Sequence, residues 1–164
     1  METEKKQRPS WDRYFMDIAH VAASRSNCSR RQVAAVLVRD RQVAAVLVRD
    51  RRIISTGYNG TPRGVKNCCD GGCPRCNSNV PSGEGLHQCL CSHAEENAIV
   101  QAAYNGIAVK GCTLYTTFSP CLLCAKMIIN AGIVEVVYHA RYSIDDVSMR
   151  LLDEAGIKVR PVQD

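Results

Sequence analysis

Apolar residues recur at three- and four-residue spacing early in the chain, at Trp11, Tyr14, Phe15, Ile18, Val21 and Ala22. That period predicts an amphipathic helix over residues 11–26, capped by Ser10, with those six side chains on one face. The period then changes. Residues 31–40 and 41–50 read RQVAAVLVRD twice, and each copy holds a short β-branched run (33–38 and 43–48) suited to a buried strand. An insertion of even length preserves the in/out alternation, so either copy can fill the same strand position. One copy is then surplus, as an extra strand, a bulged loop or disorder. Residues 52–56 predict the next strand, which ends at Gly57-Tyr58-Asn59-Gly60, where Asn-Gly signals a turn.

Residues 61–91 lose all periodicity and are rich in Gly, Pro, Asn, Ser and Cys. An irregular insert of this length inside a compact domain is functional or pinned, and metal is the obvious pin. From residue 92 helix and strand alternate. A helix over 92–104 closes at Asn105-Gly106 and a strand follows at 113–117. A second helix has Ser119 as its cap and Pro120 at its first position, and ends near Ala131-Gly132. A strand at 133–138, a helix at 143–155 closed by Gly156, and a strand at 157–162 complete the pattern. Such alternation predicts an α/β sheet with helices on both faces.

At 164 residues, one domain with a single core is the simplest expectation. No run of 18 apolar residues predicts a membrane span, and the polar start METEKKQRPSW lacks the apolar stretch of a secretory signal. Ten cysteines, some in Cys-x-x-Cys pairs, point to metal rather than disulfides and to a reducing, cytoplasmic setting. The net charge of +5 is scattered except between Arg30 and Arg52, part of which is the duplication. A solvated basic face, or a small phosphate-bearing substrate, accounts for it better than a polynucleotide groove.

The candidate chemistry sits in two segments, Ser92-His93-Ala94-Glu95-Glu96 and Ser119-Pro120-Cys121-Leu122-Leu123-Cys124. Singly, each has an ordinary explanation. Ser92-x-x-Glu95 reads as a capping box, and Cys121-x-x-Cys124 as two core cysteines on one helix face. Together, His93, Cys121 and Cys124 supply one imidazole and two thiolates, three ligands that leave a tetrahedral zinc one open position. That is the layout of a catalytic site, with Glu95 free to move protons, and H-x-E…P-C-x-x-C is the signature of zinc-dependent nucleobase deaminases.

With these residues in place, the chain resembles the deoxycytidylate (dCMP) deaminases of the cytidine deaminase superfamily, from Pro9-Ser10-Trp11 to about Arg160. The likeness includes Ser24-Arg25-Ser26-Asn27-Cys28, the strand Val-x-Ala-Val-Leu-Val, Ile53-Ile54-Ser55-Thr56 and Lys110-Gly111-Cys112-Thr113-Leu114-Tyr115. Gly57-Tyr58-Asn59-Gly60 with Thr61-Pro62 narrows it to dCMP. The resemblance implies hydrolysis of dCMP to dUMP and ammonia, feeding thymidylate synthesis, on a three-layer α/β/α fold with a mixed five-stranded sheet. It also implies that Asn59 contacts a sugar hydroxyl, that Tyr142 lies near the substrate, and that Gly57, Tyr58, Asn59 and Gly60 form a regulatory loop. Homo-oligomers, often hexamers, activated by dCTP and inhibited by dTTP belong to the same expectation. Two departures stand out: the strand is doubled, and Ala34 or Ala44 replaces a usual glycine.

The remaining cysteines raise a separate question. Cys73-x-x-Cys76 has the spacing of half a zinc knuckle. Resemblance to phage-type dCMP deaminases implies a second, structural zinc at Cys28 and Cys68, with later ligands among His87, Cys89 and Cys91. Free surface thiols are the plain alternative. Rival functions are another deaminase of the same fold, acting on cytidine, a riboflavin precursor or a tRNA adenosine, and a non-catalytic zinc-ribbon module on residues 68–91. The tRNA reading lacks a basic, aromatic-bearing terminal helix, since the chain ends Val159-Arg160-Pro161-Val162-Gln163-Asp164.

Overall fold

The computed structural model describes residues 7–41, 50–81, 84–141 and 146–163. Residues 42–49 of the second copy (41–50) and Tyr142 lie outside the described residues. Helix α1 (Trp11–Ala23) starts at Ser10, whose hydroxyl accepts from the Arg13 amide at 3.1 Å. Strands β1 (Ala34–Arg41) and β2 (Asp50–Tyr58) follow, so the first copy of the repeat builds β1. Helix α2 (Ala94–Tyr104), strand β3 (Thr113–Phe118), helix α3 (Leu122–Asn130), strand β4 (Glu135–Ala140), helix α4 (Asp146–Glu154) and strand β5 (Lys158–Pro161) complete the order.

The five strands form one mixed sheet, β2-β1-β3-β4-β5. β1 runs antiparallel to β2 and β3, whereas β3, β4 and β5 are parallel to one another. Alternation along β1 divides the core. Ala35 and Leu37 face α2, α3 and α4 together with Leu114 and Val136, and Val36 and Val38 face α1 with Tyr115 and Val137. The result is the expected three-layer α/β/α arrangement. A bulge sets two residues of β2 against the Leu37–Val38 step, after which pairing continues to Arg41 and Asp50.

Helix α1 buries a different stripe from the one expected. Phe15, Met16, Ala19 and Ala23 are buried, Ile18 packs beside them, and Trp11, Tyr14 and Val21 are exposed. The small side chains at 19 and 23 bring the helix close to the sheet. Trp11 and Tyr14 instead pack on each other and on Phe15, with ring centroids 5.2–5.9 Å apart. The helix exits are as read: Asn105 is the C-cap of α2, and Gly106, Gly132 and Gly156 take left-handed φ values just after their helices.

Candidate active site and metal centres

Two helix starts converge at the carboxyl ends of β2 and β3. His93 is the N-cap of α2 and Cys121 the N-cap of α3. Both caps lie one or two residues later than Ser92 and Ser119. The reason at α2 is visible in the contacts: Glu96, at the third helical position, accepts from the His93 amide at 3.2 Å, and Ser92 Oγ donates to the same carboxylate. The carboxylate of the capping box is thus Glu96, not Glu95.

The start of α2 is held from beneath by β2. Asn59, buried at the end of that strand, accepts from the Ala94 amide through Oδ1 at 2.8 Å, between the two functional residues. Asn97 Nδ2 donates to the Tyr58 carbonyl, and Ser55 Oγ to the Ala98 carbonyl. The α2 face consists of Ala94, Ala98 and Ala102, all fully buried, and it meets Gly57. A methyl group on Gly57 would stand 2.2 Å from the Ala94 carbonyl oxygen and 2.4 Å from the Ala98 nitrogen. Glycine inside a strand signals this close backbone approach, a clue to the site's support that the motif reading passed over.

His93 Nδ1 lies 3.2 Å from Cys121 Sγ and 3.5 Å from Cys124 Sγ, and the three ligand atoms fall within 4.8 Å of one another. A tetrahedral zinc with sulfur at about 2.3 Å and nitrogen at about 2.0–2.1 Å sets neighbouring N and S atoms roughly 3.6 Å apart. The three residues therefore fit that ion, and three ligands leave a fourth position. A thiol hydrogen bond from Cys124 and the adjacent imidazole hold Cys121 down to about 4, against burial. The same Cys121 contact holds His93 up to about 9. Zinc ligation takes the neutral imidazole and both thiolates, so an ion bound here displaces the protons of His93 and Cys124.

Glu95 is 4% exposed, and its Oε2 lies 3.6 Å from Cys124 Sγ. Burial pushes its carboxyl up to about 7. A buried acid touching the ligand set, rather than paired to a cation, is poised for proton transfer.

The Cys-rich insert packs a second group of sulfurs. Residues 61–91 contain two short 3₁₀ turns, Cys68–Asp70 and Leu86–Gln88, and are otherwise irregular where described. Cys28, Cys68, Cys73, Cys76 and Cys91 are buried together, with Cys89 half-buried beside them. Cys73 and Cys76 stand inside this group, whereas His87 is exposed on the second turn and belongs to neither sulfur cluster. Tyr58 is exposed, and Gly60 bridges to Ser92.

The cytidine and deoxycytidylate deaminase zinc-binding region matches residues 39–140, which include His93, Glu95, Cys121 and Cys124. The chain belongs to the cytidine and deoxycytidylate deaminase family. It is 49% identical over 153 residues to the deoxycytidylate deaminase of Schizosaccharomyces pombe, covering 93% of this chain but 44% of that protein. The chain thus spans less than half of that relative's length. To the deoxycytidylate deaminase of Mycobacterium phage D29 it is 40% identical, covering 80% of this chain and 95% of the phage protein. The crystal structure of the dCMP deaminase from the cyanophage S-TIM5, in complex with dCMP and dUMP, superposes with a TM-score of 0.71 at 32% identity. That match covers 94% of this chain and 98% of the phage chain. Among the described residues, no helix is long and apolar enough to cross a membrane.

Proposed function

We propose that this chain hydrolyses dCMP to dUMP and ammonia, supplying dUMP for thymidylate synthesis, with zinc held by His93, Cys121 and Cys124. The observation that carries the reading is Glu95: a buried carboxylic acid in contact with Cys124. Zinc bound at these residues lowers the pKa of a water into the neutral range. Glu95 takes one proton from the attacking water and gives it to the pyrimidine ring nitrogen, then takes the second from the ring-bound hydroxyl and passes it to the departing amine. The ring keeps the water oxygen, the bond from the ring carbon to nitrogen breaks, and ammonia leaves.

Cys121 is the N-cap of α3, and the Cys124 amide together with the positive end of that helix favours its thiolate. Asn59 uses Oδ1 on the Ala94 amide, so its Nδ2 is the donor for a sugar hydroxyl. Activation by dCTP, inhibition by dTTP, homo-oligomeric assembly and a regulatory role for residues 57–60 belong to the same reading, as does a cytoplasmic setting for ten free thiols. Ammonia release from dCMP, CMP and deoxycytidine, with and without dCTP, tests it. dCMP should be the preferred substrate, and equal rates on deoxycytidine would overturn the assignment.

A further inference from the structure

Six cysteines outside the catalytic trio fall into two overlapping tetrads. Cys28, Cys68, Cys76 and Cys91 have their sulfurs within 4.8 Å of one another, and so do Cys73, Cys76, Cys89 and Cys91. Cys76 and Cys91 belong to both. We propose that this group holds two zinc ions, one in each tetrad, with the sulfurs of Cys76 and Cys91 bridging them.

The distances suit single ions. A tetrahedral zinc with sulfur ligands at about 2.3 Å has S–S edges of roughly 3.8 Å. Cys28–Cys76, Cys76–Cys89 and Cys73–Cys89 are 3.9, 3.6 and 4.0 Å apart. A disulfide needs about 2.0 Å, and all ten cysteines are free. Tetrads this tight enclose one ion each, with no room for a cage of several irons and sulfides. An all-thiolate, tetrahedral donor set selects zinc among the divalent ions that suit neither oxygen nor square-planar sites.

The division into shared and unshared sulfurs is what sharing requires. Cys28 and Cys68 occur only in the first tetrad, Cys73 and Cys89 only in the second. Each side has a backbone amide aimed at one unshared sulfur: Ser29 N at Cys68 Sγ, 3.4 Å, and Leu90 N at Cys73 Sγ, 3.3 Å. Charge favours the same count. Two separate tetrathiolate sites need eight sulfurs and leave four excess negative charges, whereas two ions sharing a pair need six and leave two. Arg30, whose Nε donates to the Cys76 carbonyl at 3.1 Å, brings a guanidinium group against this cluster. The insert has little other core, so the ions act as its fastening.

The test uses the full chain. Elemental analysis of the zinc-loaded protein should give three zinc ions, one of them in the catalytic trio. Replacement with ¹¹³Cd should give two all-sulfur resonances coupled to each other through the shared thiolates. Cys76→Ser should lower the count from three ions to one, Cys28→Ser from three to two, and Cys69→Ser, at an exposed cysteine in neither tetrad, should leave three. Two zinc ions per chain, two uncoupled cadmium signals, or an iron–sulfur absorption spectrum would each overturn the proposal. Should the serine variants fail to fold, the cadmium coupling in the unaltered chain still decides.

Discussion

The two metal-ligand groups are built in opposite ways, although Cys91 of one stands two residues before His93 of the other. His93 and Cys121 are the first turns of helices already docked on a five-stranded sheet, and the buried alanine face of α2 fixes their spacing. The six-cysteine group lies on irregular chain, and its own sulfurs are the buried core. The fold imposes the geometry of the first site before any ion arrives. In the second, ion and fold depend on each other. The Gly60–Ser92 bridge links them, so the insert can brace the entry to α2 without belonging to the site.

The sharpest separation of chemistry from architecture is Glu95→Gln. If the sheet alone places His93, Cys121 and Cys124, the amide should leave zinc content and melting temperature unchanged. The turnover number should fall about 10²- to 10⁴-fold, roughly 3–5 kcal/mol on the barrier, because an amide cannot accept and return a proton. Steady-state kinetics with metal analysis on the same sample checks it. Retained turnover would remove Glu95 from the reaction, and lost zinc would tie the trio's geometry to its acid after all.

Gly57→Ala attacks the architecture from the other side. The added methyl meets backbone atoms of α2 at 2.2 and 2.4 Å, which no rotamer change relieves. The variant should lose about 2–4 kcal/mol of stability. Its residual activity should fall because α2 carries both His93 and Glu95. The six-cysteine group, a buried cluster separate from the alanine face, should keep its metal. Chemical denaturation and elemental analysis together separate these outcomes. Equal loss of both metals would show that the insert leans on β2.

How much of this was legible beforehand follows the same division. The α/β alternation, the helix exits at Gly106, Gly132 and Gly156, and the convergence of His93, Cys121 and Cys124 could be read because local pattern and tertiary need coincide there. The buried stripe of α1 could not: large apolar residues at 11, 14 and 21 outweighed the small Ala19 and Ala23, whose size is what permits close packing on the sheet. The start of α2 shifted because Glu96 competes with Glu95 for the cap, and the contacts made by Ser92 and the His93 amide separate the two. Cys73 and Cys76 joined the sulfur group, and His87 stayed outside, because an irregular loop has no period that says which side chains turn inward.

The smallest expected effect concerns what holds the sheet side together without metal. Arg160 of β5 joins Asp12 of α1 and donates to Glu135 of β4 at 2.8 Å, while Tyr115 donates to Asp12 at 2.9 Å. The hydrogen bond from Arg160 holds Asp12 below the usual carboxylate range. Burial works against Glu135, yet Arg160 and Lys158 hold it low as well. Carboxylates with depressed folded pKa values contribute stability that is complete above the unfolded range of about 4 and is lost as pH falls below it. Arg160→Met should therefore cost about 1–2 kcal/mol at pH 7. The penalty should shrink steadily as pH falls below about 4, where the parent progressively loses the same contribution. Urea titrations followed by Trp11, the only tryptophan and a neighbour of Phe15 on α1, read this directly. Because both proteins shed metal in acid, the difference between them isolates the ion pairs. A penalty independent of pH would mean that Arg160 supports the sheet through its hydrocarbon stem, not its charge.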